Sequence, residues 1–243
     1  MSTLTKITTV ESKLFLRDST SAVMTFAVPI GILVVFGSIG FTEGDDENNV
    51  SAGFLPVLSL ALAAAMLGLS VLPTVLATYR EKGILRRLST TPVHPVNVLA
   101  AQLLVNLVAA VGAAVVVLAL GAVSFDIGMP ENPVGFLLAF LLMASSLFGL
   151  GLLVAALAPT GKAATSIGML LFFPSMFFAG VWTPGDLMPE WARPVRDVSP
   201  LGAGMEAMQS AWDGHWPGAT NIIALLVVTV VAAAVSAKVF RWE

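Results

Sequence analysis

"YREKGILRRLSTTPVHP", residues 79–95, gathers four of the twelve Lys and Arg residues of a 243-residue chain that is 57% hydrophobic and 11% charged. The sequence on either side is uncharged over long distances: residues 53–78 before it and 96–123 after it contain no Lys, Arg, Asp, Glu or His. A hydrocarbon core about 30 Å thick needs roughly 20 apolar helical residues to cross. Both runs are long enough. The basic stretch therefore reads as a polar connection between two membrane spans.

The same test applied outward finds four further runs without ionisable side chains, approximately 21–40, 134–157, 164–182 and 219–237. A mean hydropathy of +0.90 agrees with a membrane rather than a soluble chain. The expectation is an all-α polytopic protein with six transmembrane helices in a single domain over 1–243, because lipid offers no partner to an unpaired backbone amide. Pro29, Pro73 and Pro174 are kink candidates within these spans. The first apolar run is too long for a cleaved signal and reads as an uncleaved anchor. Cysteine is absent, which excludes disulfides and thiolate metal sites.

Threading six spans sorts the connecting segments into two sets. One set, 1–20, 79–95, 158–163 and 238–243, holds ten of the twelve basic residues. The other holds only Arg193 and Arg196, but eleven of the fifteen acids, including "EGDDE" at 43–47. By the positive-inside rule both termini and residues 79–95 face the cytoplasm.

Residues 79–95 then admit two readings. One is a topogenic loop whose Arg residues only fix orientation. The other is a short amphipathic helix, with Ile84, Leu85 and Leu88 as an apolar patch ringed by Arg80, Glu81, Lys82, Arg86 and Arg87. Thr91–Pro92 and His94–Pro95 would end it. Such a helix can dock into a groove of a soluble partner.

The residues "REKGILRRLSTTPV" (80–93) resemble the segment after the second span in the ABC-2 type permeases of ATP-binding-cassette exporters, with Glu81, Gly83, Leu88, Thr91 and Pro92 at matching places. Ile84 departs from the pattern, where Thr is common. "PSMFFAGVWTPGDLMPEWARPVRDVSPLGAGMEAM" (174–208) resembles the family's passage from the fifth span into the sixth, matching at Pro174, Gly180, Val181, Pro184, Leu187, Pro189, Trp191, Ser199, Pro200, Leu201, Glu206 and Ala207. Daunorubicin-exporter-like and polysaccharide-exporter-like members share this organisation. The resemblance implies an ATPase-coupling segment at Arg80, Glu81, Gly83, Leu85, Arg86, Arg87, Leu88, Thr91 and Pro92. It also implies a re-entrant helical hairpin over 183–218 that closes the outer end of the pathway.

The outer segment also reads from its own residues. Asp186 can cap a short helix that Pro194 would interrupt. Ser199–Pro200 gives an N-cap followed by Pro at the first helical position. Leu201, Met205, Met208 and Trp212 then fall on one stripe, beside Glu206. Trp182, Trp191, Trp212 and Trp216 suit a membrane–water boundary. An interfacial loop resting on the outer leaflet is the alternative. Residues 1–20 form a weak amphipathic pattern, with Ile7, Val10 and Leu14 on one face and Lys6, Lys13 and Arg17 placed for headgroups. The resemblance implies a cytoplasmic interfacial helix here; a disordered tail is the alternative.

Other chemistry is thin. "PTGKAAT" (159–165) resembles a phosphate loop, but Ala156 and Ala163 stand where Gly and Ser or Thr are needed, so no ATPase or other enzyme activity is expected of this chain. His94 and His215 fall on opposite membrane faces, and no metal or catalytic site is expected. Gln102 and Asn106, one turn apart in the third span, suit interhelical hydrogen bonding or a path lining. Phe173, Met176 and Phe177 suit packing or a path lining. Ser145 and Gly149 form a small-xxx-small pair for close helix approach.

All of the chain's Lys, Arg, Asp and Glu residues lie outside the six spans. Proton-coupled carriers and channels keep ionisable groups inside the bilayer. The expectation is therefore the permease of an ATP-binding-cassette exporter in a prokaryotic cytoplasmic membrane, moving an amphiphilic, drug-like, lipid or glycan cargo. It needs separate cytoplasmic ABC ATPase subunits, which bind ATP and Mg, and a homodimeric or heterodimeric permease partner. No nucleic acid is expected. A proton-coupled multidrug transporter or a non-transporting membrane scaffold are the alternatives.

Overall fold

A computed structural model of the chain describes residues 3–18, 23–38, 53–84, 87, 96–181 and 188–239. Among these, helix α1 covers Thr3–Arg17, and α2 runs from a π-helical turn at Val23–Ala27 into Val28–Ser38. Helix α3 combines Phe54–Met66, a π-helical turn at Leu67–Val71 and Leu72–Glu81. Then follow α4 (Val96–Ser124), α5 (Pro133–Leu157), α6 (Gly161–Phe178), α7 (Arg193–Val198), α8 (Pro200–Trp212) and α9 (Ala219–Val239). No strand occurs among the described residues.

Five helices, α3, α4, α5, α6 and α9, are long and apolar enough to cross a membrane. Of the six expected spans, the first is represented by α2, which is apolar but shorter. Its flanks, 19–22 and 39–52, lie outside the described residues. The helix of the second expected span continues past residue 78, since Tyr79, Arg80 and Glu81 form the last turn of α3. Gly83 ends it, at φ 66°, with its N–H donating to the Arg80 carbonyl at 2.9 Å. This left-handed position suits a residue without Cβ.

Helix α5 is the central packing element. It lies against α9 and α8 over its widest contacts and also meets α3. Phe140, Met143, Leu147 and Phe148 of α5 are fully buried. The small-xxx-small reading holds at Gly149, where a Cβ would come 3.2 Å from the Ala232 Cβ of α9. Tighter contacts occur at the π turn of α3. Pro73 has no N–H, so it donates to neither the Leu69 carbonyl four residues back nor the Gly68 carbonyl five back. Gly151 of α5 and Gly168 of α6 press against these two oxygens, and a Cβ at either position would collide with them. Pro73, a kink candidate by sequence, thus sits at a three-helix contact that only glycine permits.

The helix ends sort into two groups. The end of α3, Gln102 of α4, α1 and the α5–α6 turn are joined by hydrogen bonds at one end of the bundle. At the other end, the Glu131 and Asn132 amides donate to the Trp212 and Ala211 carbonyls at 3.2 and 3.1 Å. Val108 and Val115 of α4, and Ile223, Val227 and Val230 of α9, remain exposed. Outward apolar faces of this kind fit lipid.

Candidate functional site

The end of α3 that carries the basic stretch is fastened to the α5–α6 turn by two adjacent side chains. Arg80 Nη1 donates to the Ala156 carbonyl at 3.0 Å, and Nη2 donates to the Ala158 carbonyl. Glu81 Oε2 accepts the Gly161 N–H at 3.0 Å. A cation thus meets the last carbonyls of α5 and an anion meets the first amides of α6, both favourable to the helix dipoles. Thr160 completes the cap of α6 by accepting from the Ala163 amide at 3.1 Å.

The same end contains a buried carboxylate that the sequence did not single out. Glu11 of α1 is only 7% exposed. Its Oε2 accepts from Gln102 Nε2 of α4 at 2.7 Å and from Tyr79 OH of α3 at 3.3 Å. Asn106 Nδ2 in turn donates to the Gln102 backbone carbonyl at 2.8 Å and to its Oε1 at 3.2 Å. Burial raises the Glu11 carboxyl above its ordinary value of 4.5, opposed by the bond from Tyr79. The inward face of α1 differs from the expected one. Ile7 packs on the core, but Val10 and Leu14 are exposed, and Glu11 takes the buried position.

At the other end, Ser199 caps α8 by accepting the Gly202 amide at 3.1 Å, with Pro200 in the first turn, as its sequence indicated. Leu201, Met205, Met208 and Trp212 are all buried, so the stripe packs inward on α5, α9 and α3. Trp212 therefore does not sit at an exposed boundary. It meets Phe136 edge-on at 5.8 Å, and Gly53 lies so close that a Cβ there would strike its indole. Trp191 and Trp216 are exposed. Pro194 begins α7 rather than interrupting a helix, since Pro is tolerated where the amide has no intrahelical partner. Arg196 of α7 bridges to Glu206 of α8 at 3.0 Å. The Pro189 carbonyl accepts from Ala192, closing the turn before α7. Trp191 stacks on Phe177 of α6 at 6.5 Å.

The residues proposed for a path lining separate into two places. Gln102 and Asn106 line a cavity with α1 and α3. Phe173, Met176 and Phe177 lie on α6 and are not part of that lining. Of the coupling residues, Arg80, Glu81, Gly83 and the exposed Arg87 are described. Leu85, Arg86, Leu88, Thr91 and Pro92 lie outside the described residues, as do Pro184, Leu187, Asp186 and Trp182 of the outer segment.

Long apolar helices packed around α5, with polar fastenings at both ends, define a multi-pass α-helical membrane protein. The chain belongs to the ABC-2 type transporter family, whose profile matches residues 4–212. The resemblance carried by 80–93 and 174–208 is thereby borne out. The chain is 24% identical over 205 residues to the probable multidrug ABC transporter permease YbhR of Escherichia coli strain K12. The corresponding protein of Escherichia coli O157:H7 matches equally. The match covers 79% of this chain and 54% of the relative, so the chain spans about half the length of the curated relatives it matches.

Proposed function

We propose that this chain is the membrane permease of an ATP-driven exporter, working with separate cytoplasmic ABC ATPase subunits and with a second permease, identical or similar. The observation that carries the reading is the fastening of Arg80 and Glu81 to the α5–α6 turn. A push on the segment beyond Gly83 reaches α3, α5 and α6 together, so a small displacement moves three helices as a unit. Residues 84–93 are the ATPase contact in this reading, and ATP and Mg are bound by the ATPase. Both termini face the cytoplasm, and α7 and α8 form a re-entrant pair that closes the outer end. The cargo is an amphiphile of drug, lipid or glycan type moved out of the cytoplasm. The membrane is the cytoplasmic membrane of a prokaryote.

A proton-coupled carrier is the second reading, and Glu11 is the observation in its favour, since a buried carboxylate can carry a proton. Inverted vesicles distinguish the two. An ATP-driven exporter accumulates cargo only with ATP and the partner ATPase, and continues when an uncoupler collapses the proton gradient at constant ATP. Loss of transport on uncoupling would select the carrier. Reporters fused within 43–50 and at the C-terminus should lie on opposite sides of the membrane; the same side for both would overturn the topology.

A further inference from the structure

Between α1, α3 and α4 lies a cavity of about 280 Å³. Its polar wall contains Glu11 and, one turn deeper along α4 than Gln102, Asn106. Both bonds to the Glu11 carboxylate fall on Oε2, so Oε1 accepts from no described residue. Asn106 is 2% exposed, its amide nitrogen is fully engaged with Gln102, and its Oδ1 has no hydrogen-bond partner. A buried acceptor left unpaired costs free energy unless something donates to it. The lining thus offers a carboxylate and an orphan carbonyl. Among the lining residues none is Lys, Arg or His. Thr74, Thr78 and Tyr79 add hydroxyl groups to the lining, and the rest of it is apolar, chiefly Leu14, Phe15, Val71 and Val75.

We propose that this cavity binds a protonated primary amine carried on a short apolar body, with the ammonium between the Glu11 carboxylate and the Asn106 carbonyl oxygen. An ammonium brings a positive charge and three N–H donors with no acceptor, which is what this wall lacks. The apolar body lies against Phe15, Val71 and Val75. The volume sits at the small end of ligand pockets, so an arylalkylamine fits and a large drug does not. The site goes beyond membership of a transporter family and holds whichever energy source drives transport. The amine can come from a free molecule or from the headgroup of an ethanolamine lipid.

The test uses the full chain purified into phosphatidylcholine nanodiscs and tritiated 4-phenylbutylamine in a scintillation proximity assay. Saturable binding is expected, with weak competition from 4-phenylbutyltrimethylammonium, which has no N–H, and none from 5-phenylpentanoate. Glu11→Gln keeps acceptors for Gln102 and Tyr79 but removes the charge, and should weaken binding about tenfold, the size of one charge-assisted hydrogen bond. Val75→Phe touches none of the polar groups and should abolish binding by filling the space. Replacing phosphatidylcholine with phosphatidylethanolamine separates the sources. Weaker apparent binding supports a lipid headgroup as the resident amine, and unchanged binding supports a free one. Wild-type affinity in both variants, or equal competition by 5-phenylpentanoate, overturns the site.

Discussion

The Glu81 carboxylate accepts the Gly161 backbone N–H at 3.0 Å across 80 residues of chain, while Arg80 beside it holds the Ala156 carbonyl at 3.0 Å. Two neighbouring side chains of opposite sign thereby grip both sides of one turn. Glu81→Ala should lower stability by about 0.3–1 kcal/mol, the range for a charge at an exposed helix terminus. Glu81→Lys should cost more, because it sets a cation against the positive end of α6. Thermal unfolding in nanodiscs measures the difference. Equal stability of the two variants would mean that the contact with Gly161 carries no electrostatic weight.

The π turn of α3 predicts an unusual intolerance of alanine. Gly151→Ala and Gly168→Ala each drive a methyl into a backbone oxygen, Gly68 in one case and Leu69 in the other. Backbone cannot rotate away as a side chain can, and overpacking of this kind costs about 1–3 kcal/mol. Gly31→Ala, whose added Cβ meets nothing within 4 Å, should be near neutral. Folded yield and melting temperature of the three variants test this ordering.

Glu11 gives a pH dependence of definite sign. Its carboxyl is raised above 4.5 by burial, so the folded protein holds that proton to higher pH than the unfolded chain does. The stability this contributes is complete below about 4.5 and is lost as pH rises through the raised value. Tyr79 faces it from α3 and Asp18 lies at the end of its own helix, while α4 presents only the uncharged Gln102 and Asn106. Melting temperature should therefore fall as pH is raised from about 4.5 through the raised value, and Glu11→Gln should flatten that component. A profile unchanged by the substitution would place the titration elsewhere.

How much of this was legible depended on the range of the interaction. The long spans could be read because lipid demands an uninterrupted apolar run, and that demand is local in sequence. The Ser199–Pro200 cap was equally readable, since a cap and its helix are contiguous. Glu11 was not readable. Nothing among its neighbours Val10 and Ser12 marks it as inward, and its partner Gln102 lies 91 residues away. Pro73 announced a kink, but the glycines that fit the freed carbonyls come from two other helices. Trp212 looked like a boundary residue by type. The close approach of Gly53 and Phe136 is what buries it.

The basic stretch itself carries the last prediction. Gly83 separates it into two parts, a turn of α3 that is committed to the α5–α6 turn and a continuation in which the Arg87 amide donates to the Gly83 carbonyl at 3.1 Å. In the proposed function the ATPase contact lies in the second part, whose apolar residues by sequence are Leu85 and Leu88. Loss of a Leu side chain from a well-packed groove costs about 2–5 kcal/mol. A rim ion pair contributes about 0–1 kcal/mol. Leu88→Ala should therefore weaken co-purification of the ATPase far more than Arg87→Ala. Arg80→Ala should leave co-purification intact yet impair transport, because it loosens the turn that passes the motion on. Membrane insertion should be normal in all three, since enough basic charge remains on that side. If every variant retains the ATPase and transports at wild-type rates, the cluster serves only to orient the chain.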